Sequence, residues 1–389
     1  MASSKYWDRL PWDGQGWGNA ADSEWKMLHR ASASAFRRRV PLPMRLPIMV
    51  LQHALWPAAA LSVAYRFARR RGLTSDEMIT LFVDCLLAGS SPLDAYVWRR
   101  VFGNRHPLAP RAAALLLSQL GDPRGHQLLA DKLATVNHLA AAGIPVPAQF
   151  GIVGRHSQTV TPLPHTNLLV KPRHGAASRG VFPLLAVGNT DTWRISNGSV
   201  VSWPTVERCL VNEAGSDDLL LEEKLEPSQE LIDLSADGWA PVLRLTTARE
   251  PGGASFLHSA LLVIPVPGYS RRNFLRGNIY APIDVEKGRM LPAYCLETPH
   301  SRHNNLPWNA QPLAGRNISD LSKAVQAVIA ASNVIPSLAL INWDLIVTDR
   351  GAVILEGNSV GNWILTELPR PDGLTACHLP TLLSRWITS

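Results

Sequence analysis

The segment from Ile341 to Trp363, INWDLIVTDRGAVILEGNSVGNW, constrains the fold most because it predicts two apolar strands joined by a short loop. Runs of Ile, Leu and Val flank Asp349-Arg350-Gly351, and glycine at the last loop position favours a β-hairpin. With a three-residue loop, Thr348 faces Ala352 across the hairpin. We therefore expect two paired strands that are too apolar to form an exposed edge.

The same register places Asp344 opposite Glu356. Cross-strand partners have Cβ atoms about 4.5–5.5 Å apart, so the two carboxylates repel each other unless a cation lies between them. Asn358 points to the same face of its strand. Two carboxylates and an amide are hard oxygen ligands that suit Mg²⁺. The sequence predicts a metal site; the alternative is an ordinary hairpin whose acidic side chains are solvated.

Composition narrows the class of protein. The 389 residues are 46% hydrophobic and 18% charged with a net charge of +7, which is typical of a globular chain of two or three domains. The basic balance is compatible with nucleic acid, anionic lipid or an acidic substrate, but no recognition helix or stacking platform favours nucleic acid. Four scattered cysteines indicate neither a zinc site nor disulfides, and the N-terminus lacks a signal-peptide pattern. We expect a cytoplasmic protein.

A mainly helical region is expected over residues 1–125. Its most apolar stretch, from Leu42 to Ala64, precedes the arginine cluster Arg69-Arg70-Arg71. It approaches transmembrane length, yet prolines and polar residues interrupt it. Two interpretations stay open: a helix buried in the N-terminal region, or an interfacial helix that gives residues 42–71 a peripheral contact with a membrane.

The pattern changes from helical to strand-like after Gly143. Asp131 to Ala142 predicts a helix, and the following Pro145 and Pro147 enforce an extended exit. A strand over 167–171 then leads into a turn rich in glycine and serine, 172–180. Backbone N–H groups of small residues can close over an anion there, although glycine and serine are also ordinary turn residues.

Three later segments carry polar residues in apolar surroundings. The strand over 219–225 ends in charged residues and can offer backbone groups to an adenine edge. The strand over 242–247 places Arg244 among apolar neighbours, where it needs an anionic partner. The basic loop 270–284 is either a substrate-facing or a solvated loop.

Taken together, the order of these elements resembles the ATP-grasp superfamily from about Asp131 to Trp363. The resemblance implies an α+β protein in which two α/β subdomains clamp ATP, after the helical N-terminal region. We expect a small lid-bearing subdomain at 126–225 and a C-terminal subdomain with the metal hairpin at 226–389. The implied ATP-binding residues are Lys132, Lys171, Gly175, Ser178, Gly180, Glu222, Glu223, Leu225 and Glu230, with Gln229 as an alternative to Glu230. The implied metal ligands are Asp344, Glu356 and Asn358.

The sugar-transfer-associated branch is the more similar part of that superfamily. Asn273-Phe274, Gly277-Asn278 and Ala281-Pro282-Ile283-Asp284 resemble its signature, as does Ile341-Asn342-Trp343-Asp344. Asn278 stands where the branch has the second glycine of a pair, and Asn342 where glycine is more usual. Asn273, Arg276 and Asn278 are the implied substrate contacts.

The resemblance implies an ATP- and Mg²⁺-dependent ligase that joins a small-molecule carboxylate to an amine through an acylphosphate, in polysaccharide or secondary-metabolite biosynthesis. Arg244 and Lys171 are the expected catalytic residues: Lys171 for the phosphoryl group, Arg244 for the carboxylate and the oxyanion. The loop histidines His174, His300 and His303 are left without a role. Two alternatives remain open, a kinase acting on a hydroxyl group and a non-catalytic nucleotide-binding factor of membrane glycan assembly.

Overall fold

A computed structural model describes residues 27–28, 31, 34, 41–88, 91–102, 110–154, 158–160, 166–175, 180–188, 192–195, 198–214, 217–270, 277–298, 301–360, 365 and 379–389. Within these ranges helices precede residue 142 and two antiparallel sheets follow, so the predicted α+β class is confirmed. Ser178, Asn273, Arg276 and His300 lie outside the described residues.

The helices of the first part begin and end where the sequence places their caps. Thr74 and Glu77 form a capping box at the start of the second helix. Thr74 N–H donates to the Glu77 carboxylate at 2.9 Å, and Glu77 N–H donates to Thr74 Oγ1 at 3.3 Å. Gly72, with φ of 63°, ends the first helix in a left-handed conformation. The helices are α1 (Leu42–Arg71), α2 (Ser75–Ala88), α3 (Pro92–Phe102), α4 (Pro110–Leu117), α5 (Pro123–Ala130) and α6 (Lys132–Ala141).

A smaller sheet follows, built from short strands with one covering helix. Its strands are β1 (Gln149–Val153), β2 (Gln158–Val160), β3 (Leu168–Pro172), β4 (Phe182–Ala186), β5 (Thr192–Arg194), β6 (Val200–Ser202) and β7 (Leu219–Glu223), and the helix is α7 (Trp203–Ala214). Among the described residues the strand order is β2-β1-β7-β3-β4-β5-β6. Val206 and Leu210 of α7 pack with the buried Trp193 against one face. Because β3 and β7 are adjacent central strands, polar side chains on them are buried.

The larger sheet is enclosed on both faces. Its strands are β8 (Val242–Arg249), β9 (Ser255–Pro265), β10 (Asn278–Asp284), β11 (Arg289–Met290), β12 (Ala293–Tyr294), β13 (Arg302–His303), β14 (Leu340–Thr348) and β15 (Gly351–Asn358); α8 (Leu321–Val334) and α9 (Leu379–Thr388) complete the described elements. In the described chain the order is β13-β12-β10-β9-β8-β14-β15, with β11 beside β10.

Strand β8 shows how the two faces are divided. Val242 and Ala248 pack in one core with Trp56 of α1, whereas Leu243 and Leu245 pack in a second core with Val328 of α8. Successive residues of a strand point to opposite faces, so each face of β8 belongs to a different core. The predicted apolar strands follow from this double burial.

Helices α5 and α6 pack on the larger sheet. Leu129 of α5 and Leu139 of α6 lie in the same core as Trp343 of β14. The domain limits at 125/126 and 225/226 stay predictions. The packing of α6 nevertheless places the start of the predicted small subdomain against the C-terminal sheet.

The hairpin of β14 and β15 forms, with a turn register that differs from the prediction. Thr348 pairs with Gly351 and Val347 with Ala352, so the predicted pairing of Thr348 with Ala352 is wrong by one residue. Thr348 closes the tighter turn: its hydroxyl donates to the Gly351 carbonyl at 2.8 Å and accepts from Arg350 N–H at 3.1 Å. Gly351, with φ of 110°, is thus a paired residue rather than a loop residue.

A bulge restores the register further along the hairpin. Leu345 pairs with Ile354 and Asp344 with Glu356, which leaves Leu355 as the extra residue of β15. The predicted pairing of Asp344 with Glu356 is therefore confirmed, although the turn that leads to it was predicted incorrectly.

Candidate functional site

A buried ion pair lies at the centre of the smaller sheet. Lys171 Nζ of β3 lies 2.7 Å from Glu222 Oε1 of β7, and the two residues are 5% and 0% exposed. Lys171 Nζ also donates to the Leu355 carbonyl at 3.2 Å. Leu355 is the bulge residue of β15 and has no cross-strand partner in the described register with β14. The bulge thereby connects the hairpin to Lys171 across the two sheets.

Gln149 of β1 completes the surroundings of Glu222. Its Nε2 donates to Glu222 Oε2 at 2.9 Å, and because a carboxylate only accepts, this bond fixes the orientation of the amide. The amide oxygen Oε1 is buried, and none of the described residues donates a hydrogen bond to it. A buried acceptor without a donor costs about 1–3 kcal/mol. A ligand donor at this position would remove that cost.

The start of α6 is fixed to the end of β3. Asp131 caps α6 by accepting from Leu133 N–H and Ala134 N–H, each at 3.1 Å. The same carboxylate accepts from Arg173 Nε at 3.0 Å and Nη2 at 2.6 Å. The hydrogen bond from Arg173 holds the pKa of Asp131 below its usual range despite partial burial. Lys132, the first residue of α6, is therefore held in place next to the end of β3.

The side chain of Lys132 extends toward the other predicted phosphate-binding residues. Its Nζ donates to the Gly175 carbonyl at 2.7 Å. Burial lowers the pKa of Lys132, and this effect exceeds the opposing attraction of Glu356, while the nearby Lys171 lowers the pKa further. The structure thus brings Lys171 and Glu356 close enough to Lys132 to affect its pKa.

The predicted phosphate loop begins at one glycine and ends at another, and its central residues 176–179 lie outside the described part of the chain. Gly175 has φ of 110° and Gly180 has φ of 71°. A Cβ on Gly180 would lie 2.8 Å from Pro172 Cγ, so this position also requires glycine for space.

His174 is held by Asp217, which accepts from its backbone N–H at 2.9 Å and contacts its Nδ1 at 2.8 Å.

The predicted metal ligands occupy the edge of the larger sheet. Asp344 of β14 binds Arg244 of β8 through two bonds of 2.7 Å, from Nε to Oδ1 and from Nη2 to Oδ2. Burial opposes the charge of Arg244, but Asp344 and the nearby Glu356 outweigh it and raise the pKa of the guanidinium. Asn358 Nδ2 donates to Glu356 Oε1 at 3.3 Å. The sequence-based expectation of an anionic partner for Arg244 is met by Asp344.

This edge offers few protein ligands to a cation. Within the described residues, no cluster of three or more His, Cys, Asp or Glu side chains could hold a metal ion. Asp344, Glu356 and Asn358 supply two carboxylates and an amide, which suits an ion such as Mg²⁺ that keeps waters and shares its shell with phosphates. A carboxylate has about four lone-pair sites, so Asp344 can accept from Arg244 and still contact a cation.

The remaining predicted nucleotide contacts lie along the exit of β7. Glu223 pairs with Arg350 in the hairpin turn. Leu225 is buried with Ile346 and Val353 in a small core. Glu230 lies further along the chain. Its carboxylate accepts hydrogen bonds from Ser319 N–H at 2.8 Å and from the Ser319 hydroxyl at 2.6 Å.

Other predicted residues are placed more simply. Gln229, the alternative to Glu230, donates its backbone N–H to Asp349 at 3.1 Å. Asn278 is buried at the start of β10, where it pairs with Pro265 of β9. His303 lies in the short edge strand β13, and no described contact joins it to the lysines. The structure therefore groups Lys132, Lys171, Glu222, Glu356 and Asn358 but not Glu230.

Sequence reasoning missed Gln149 and His126. His126 of α5 contacts Ser359 Oγ through Nδ1 at 2.8 Å and the Leu120 carbonyl through Nε2 at 3.2 Å. Because a carbonyl only accepts, Nε2 carries the hydrogen and Nδ1 accepts from the Ser359 hydroxyl. Burial lowers the pKa of His126 and keeps it neutral. Ser359 directly follows Asn358, so His126 fixes the end of the hairpin formed by β14 and β15. Neither Gln149 nor His126 lies in a recognisable motif.

Comparison with solved structures gives similarity at low identity. D-alanine–D-alanine ligase from Bacillus anthracis is 13% identical over 69% of this chain and 69% of that chain, with a TM-score of 0.39. The VanG D-Ala:D-Ser ligase from Enterococcus faecalis is 12% identical over 69% of this chain and 63% of that chain, with a TM-score of 0.42. The L-amino acid ligase from Bacillus licheniformis is 13% identical over 72% of this chain and 55% of that chain, with a TM-score of 0.40.

These values are too low to carry an argument about activity. No curated protein matches the chain significantly. The model of the sugar-transfer associated ATP-grasp family, however, matches residues 111–379, a range that includes both sheets and all the grouped site residues. The chain therefore belongs to the sugar-transfer associated ATP-grasp family.

Proposed function

We propose that this protein is an ATP- and Mg²⁺-dependent ligase that joins a carboxylate to an amine through an acylphosphate. The observation that carries the proposal is the position of two lysines: Lys171 Nζ donates to the Leu355 carbonyl, next to Glu356, and Lys132 Nζ donates to the Gly175 carbonyl at the start of the glycine loop. Phosphoryl transfer needs mainly positioning and charge neutralisation, and two cations facing an acidic, amide-bearing edge supply both.

The nucleotide base fits the buried end of this site. Gln149 Oε1 is a buried acceptor to which no described residue donates, next to Glu222 and Lys171. The exocyclic amino group of adenine is a donor of the kind this acceptor needs, whereas guanine presents an acceptor at the same place. The fit supports ATP rather than GTP, with Leu225 at the strand exit beside the base.

The phosphates would extend from Lys171 toward Lys132. Lys132 and Lys171 would bind them, and the glycine loop bounded by Gly175 and Gly180 would cover them. Asp344, Glu356 and Asn358 would hold Mg²⁺, which supplies neutralisation of the phosphate charge. Glu230 or Gln229 remains the proposed ribose contact, and it would have to exchange its present partner for the sugar.

The reaction then balances in two steps. A substrate carboxylate oxygen attacks the γ-phosphorus of ATP and ADP leaves. The amine nitrogen attacks the acyl carbon, phosphate leaves, and the amine proton goes to solvent. Arg244 stabilises the oxyanion of the second step, provided that it keeps only one of its two bonds to Asp344.

The substrate contacts would lie in the segment that leads into β10 and at the start of that strand. We propose an amino acid or a carboxylated sugar as substrate, with Asn278 and the segment containing Asn273 and Arg276 as its contacts. Cytoplasmic ATP and the predicted reduced cysteines support a cytoplasmic location. A kinase acting on a hydroxyl group would use the same cradle and differs in its product.

The test begins with isothermal titration of ATP, with and without Mg²⁺. Lys132→Met and Glu356→Gln should each weaken Mg²⁺-dependent binding at least about tenfold, because each removes a charge-assisted contact. Lys323→Met is the matched control, since this lysine of α8 is exposed and its ion pair in the described structure is with Asp320, the residue that precedes the helix. Normal ATP binding by both site variants would refute the site.

The second stage measures orthophosphate release over panels of carboxylates and amines. Release that requires both substrates supports the ligase. A stable phosphorylated product formed without an amine supports the kinase and contradicts the ligase.

A further inference from the structure

Helix α1 consists of two halves with opposite environments. From Trp56 onward its inner face is buried, with Trp56, Ala60, Ala64 and Ala68 at most 2% exposed. Before Trp56, every residue of α1 whose side chain is described is exposed. The prediction of a buried helix thus holds only for the C-terminal half, and the N-terminal half projects from the core.

The projecting half carries large apolar side chains in a regular arrangement. Leu42, Leu46 and Val50 are 74%, 70% and 60% exposed, and their spacing of four residues places them on one side of the helix. Met44 and Leu55 add further exposed apolar surface at 51% and 56%. Soluble proteins rarely expose such contiguous apolar patches unless the patch contacts a partner.

The charge of this helix is of one sign. Residues 42–71 contain no Asp or Glu, whereas Arg37-Arg38-Arg39 precede the helix and Arg69-Arg70-Arg71 end it. Arg69 and Arg70 are exposed, and Arg71 turns back to donate to the Glu297 carbonyl at 3.0 Å. The partner of this surface should therefore be both apolar and negatively charged.

We propose that the projecting half of α1 lies in the interface of an anionic lipid membrane, with its apolar stripe in the acyl region and the arginine clusters that flank the helix at the headgroups. A second copy of this chain fits less well, because pairing two such helices would oppose arginine clusters with no acid on either helix to neutralise them. Among the described residues no helix is long and apolar enough to cross a membrane.

The proposal is independent of the ligase reaction and is tested without it. The full-length chain is sedimented with vesicles of phosphatidylcholine alone and of phosphatidylcholine with phosphatidylglycerol. We expect binding to the anionic vesicles only. Leu46→Glu/Val50→Glu should weaken it at least about tenfold through lost apolar burial, and Arg69→Gln/Arg70→Gln roughly fivefold per arginine.

Matched controls lie outside α1. Val285→Glu changes an exposed apolar residue elsewhere, and Lys287→Gln/Lys323→Gln removes two exposed positive charges; both should leave vesicle binding unchanged. Circular dichroism and ATP titration of every variant show whether the fold and the site are intact.

Three results would overturn the proposal. The first is no sedimentation of the folded wild type with either vesicle, and the second is equal loss of binding in the controls. The third is a dimer in light scattering that Leu46→Glu/Val50→Glu dissociates while vesicle binding stays unchanged, which would assign the stripe to a second copy.

Discussion

Gly357 lies between two predicted metal ligands, and its replacement by alanine tests why this position has no side chain. A Cβ at Gly357 would lie 2.6 Å from Cζ3 and 2.9 Å from Cε3 of the Trp343 ring, and 3.1 Å from Leu129 Cδ2. Trp343 is 0% exposed, and its Nε1 donates to Thr247 Oγ1 at 3.1 Å and Ser332 Oγ at 3.0 Å, so the ring cannot move away without losing both bonds.

The expected cost follows from this geometry. Forcing one methyl group into a packed core costs about 1–3 kcal/mol. The gain from a less flexible unfolded chain, about 0.4–1 kcal/mol, offsets part of it. We expect Gly357→Ala to lower the free energy of unfolding by about 1–2 kcal/mol and to weaken Mg²⁺-dependent ATP binding, because Glu356 and Asn358 flank the strained residue.

The assay is urea unfolding followed by circular dichroism, combined with ATP titration. Gly253→Ala is the control, because Gly253 is exposed and its nearest neighbour, Glu250 Cβ at 3.1 Å, belongs to the same surface turn rather than to a packed core. Trp343→Phe removes the part of the indole that contains Cζ3 and Cε3. In that background Gly357→Ala should cost less than in the wild type.

Two outcomes would refute this reasoning. One is an unchanged urea midpoint for Gly357→Ala. The other is a double mutant in which the two costs simply add, since this would show that the Trp343 ring is not what excludes the side chain.

The remaining predictions concern three ionisable side chains. Asp131→Asn keeps the helix cap but loses the charge facing Arg173, so it should lower the free energy of unfolding by about 1–2 kcal/mol at neutral pH. The folded pKa of Asp131 lies below 3.8. Urea unfolding at several pH values should therefore show the difference in stability between the variant and the wild type disappear as pH falls through that pKa. Burial holds the pKa of His126 below 6.5, so the wild type should lose stability as pH falls below about 6.5. His126→Gln should lose no stability from this source. Thermal midpoints of both proteins, measured against pH, test this difference. Lys171→Met leaves Glu222 buried and unpaired and should cost about 3–5 kcal/mol. Thermal unfolding should recover in Lys171→Met/Glu222→Gln while ATP titration does not, and recovery of both would remove Lys171 from the proposed site.

Local patterns were sufficient for several elements. The capping box at Thr74 and Glu77, the change of period after Gly143 and the apolar runs of the hairpin depend on neighbours within a few residues, so each could be recognised in the sequence. The pairing of Asp344 with Glu356 was predicted for the same reason. The position of the turn was not, because a two-residue turn followed by a bulge gives the same carboxylate pair as a longer loop.

The sequence by itself therefore determined the order of helices and strands, the motifs that place the chain in its family, and the acidic edge of the hairpin. Only the tertiary structure decided that Arg244 binds Asp344, that Gln149 orients Glu222, and that half of α1 projects from the core. These contacts join residues far apart in the chain. They depend on the order of strands in a sheet and on which face of a helix finds a partner, and neither is encoded in the spacing of neighbouring residues.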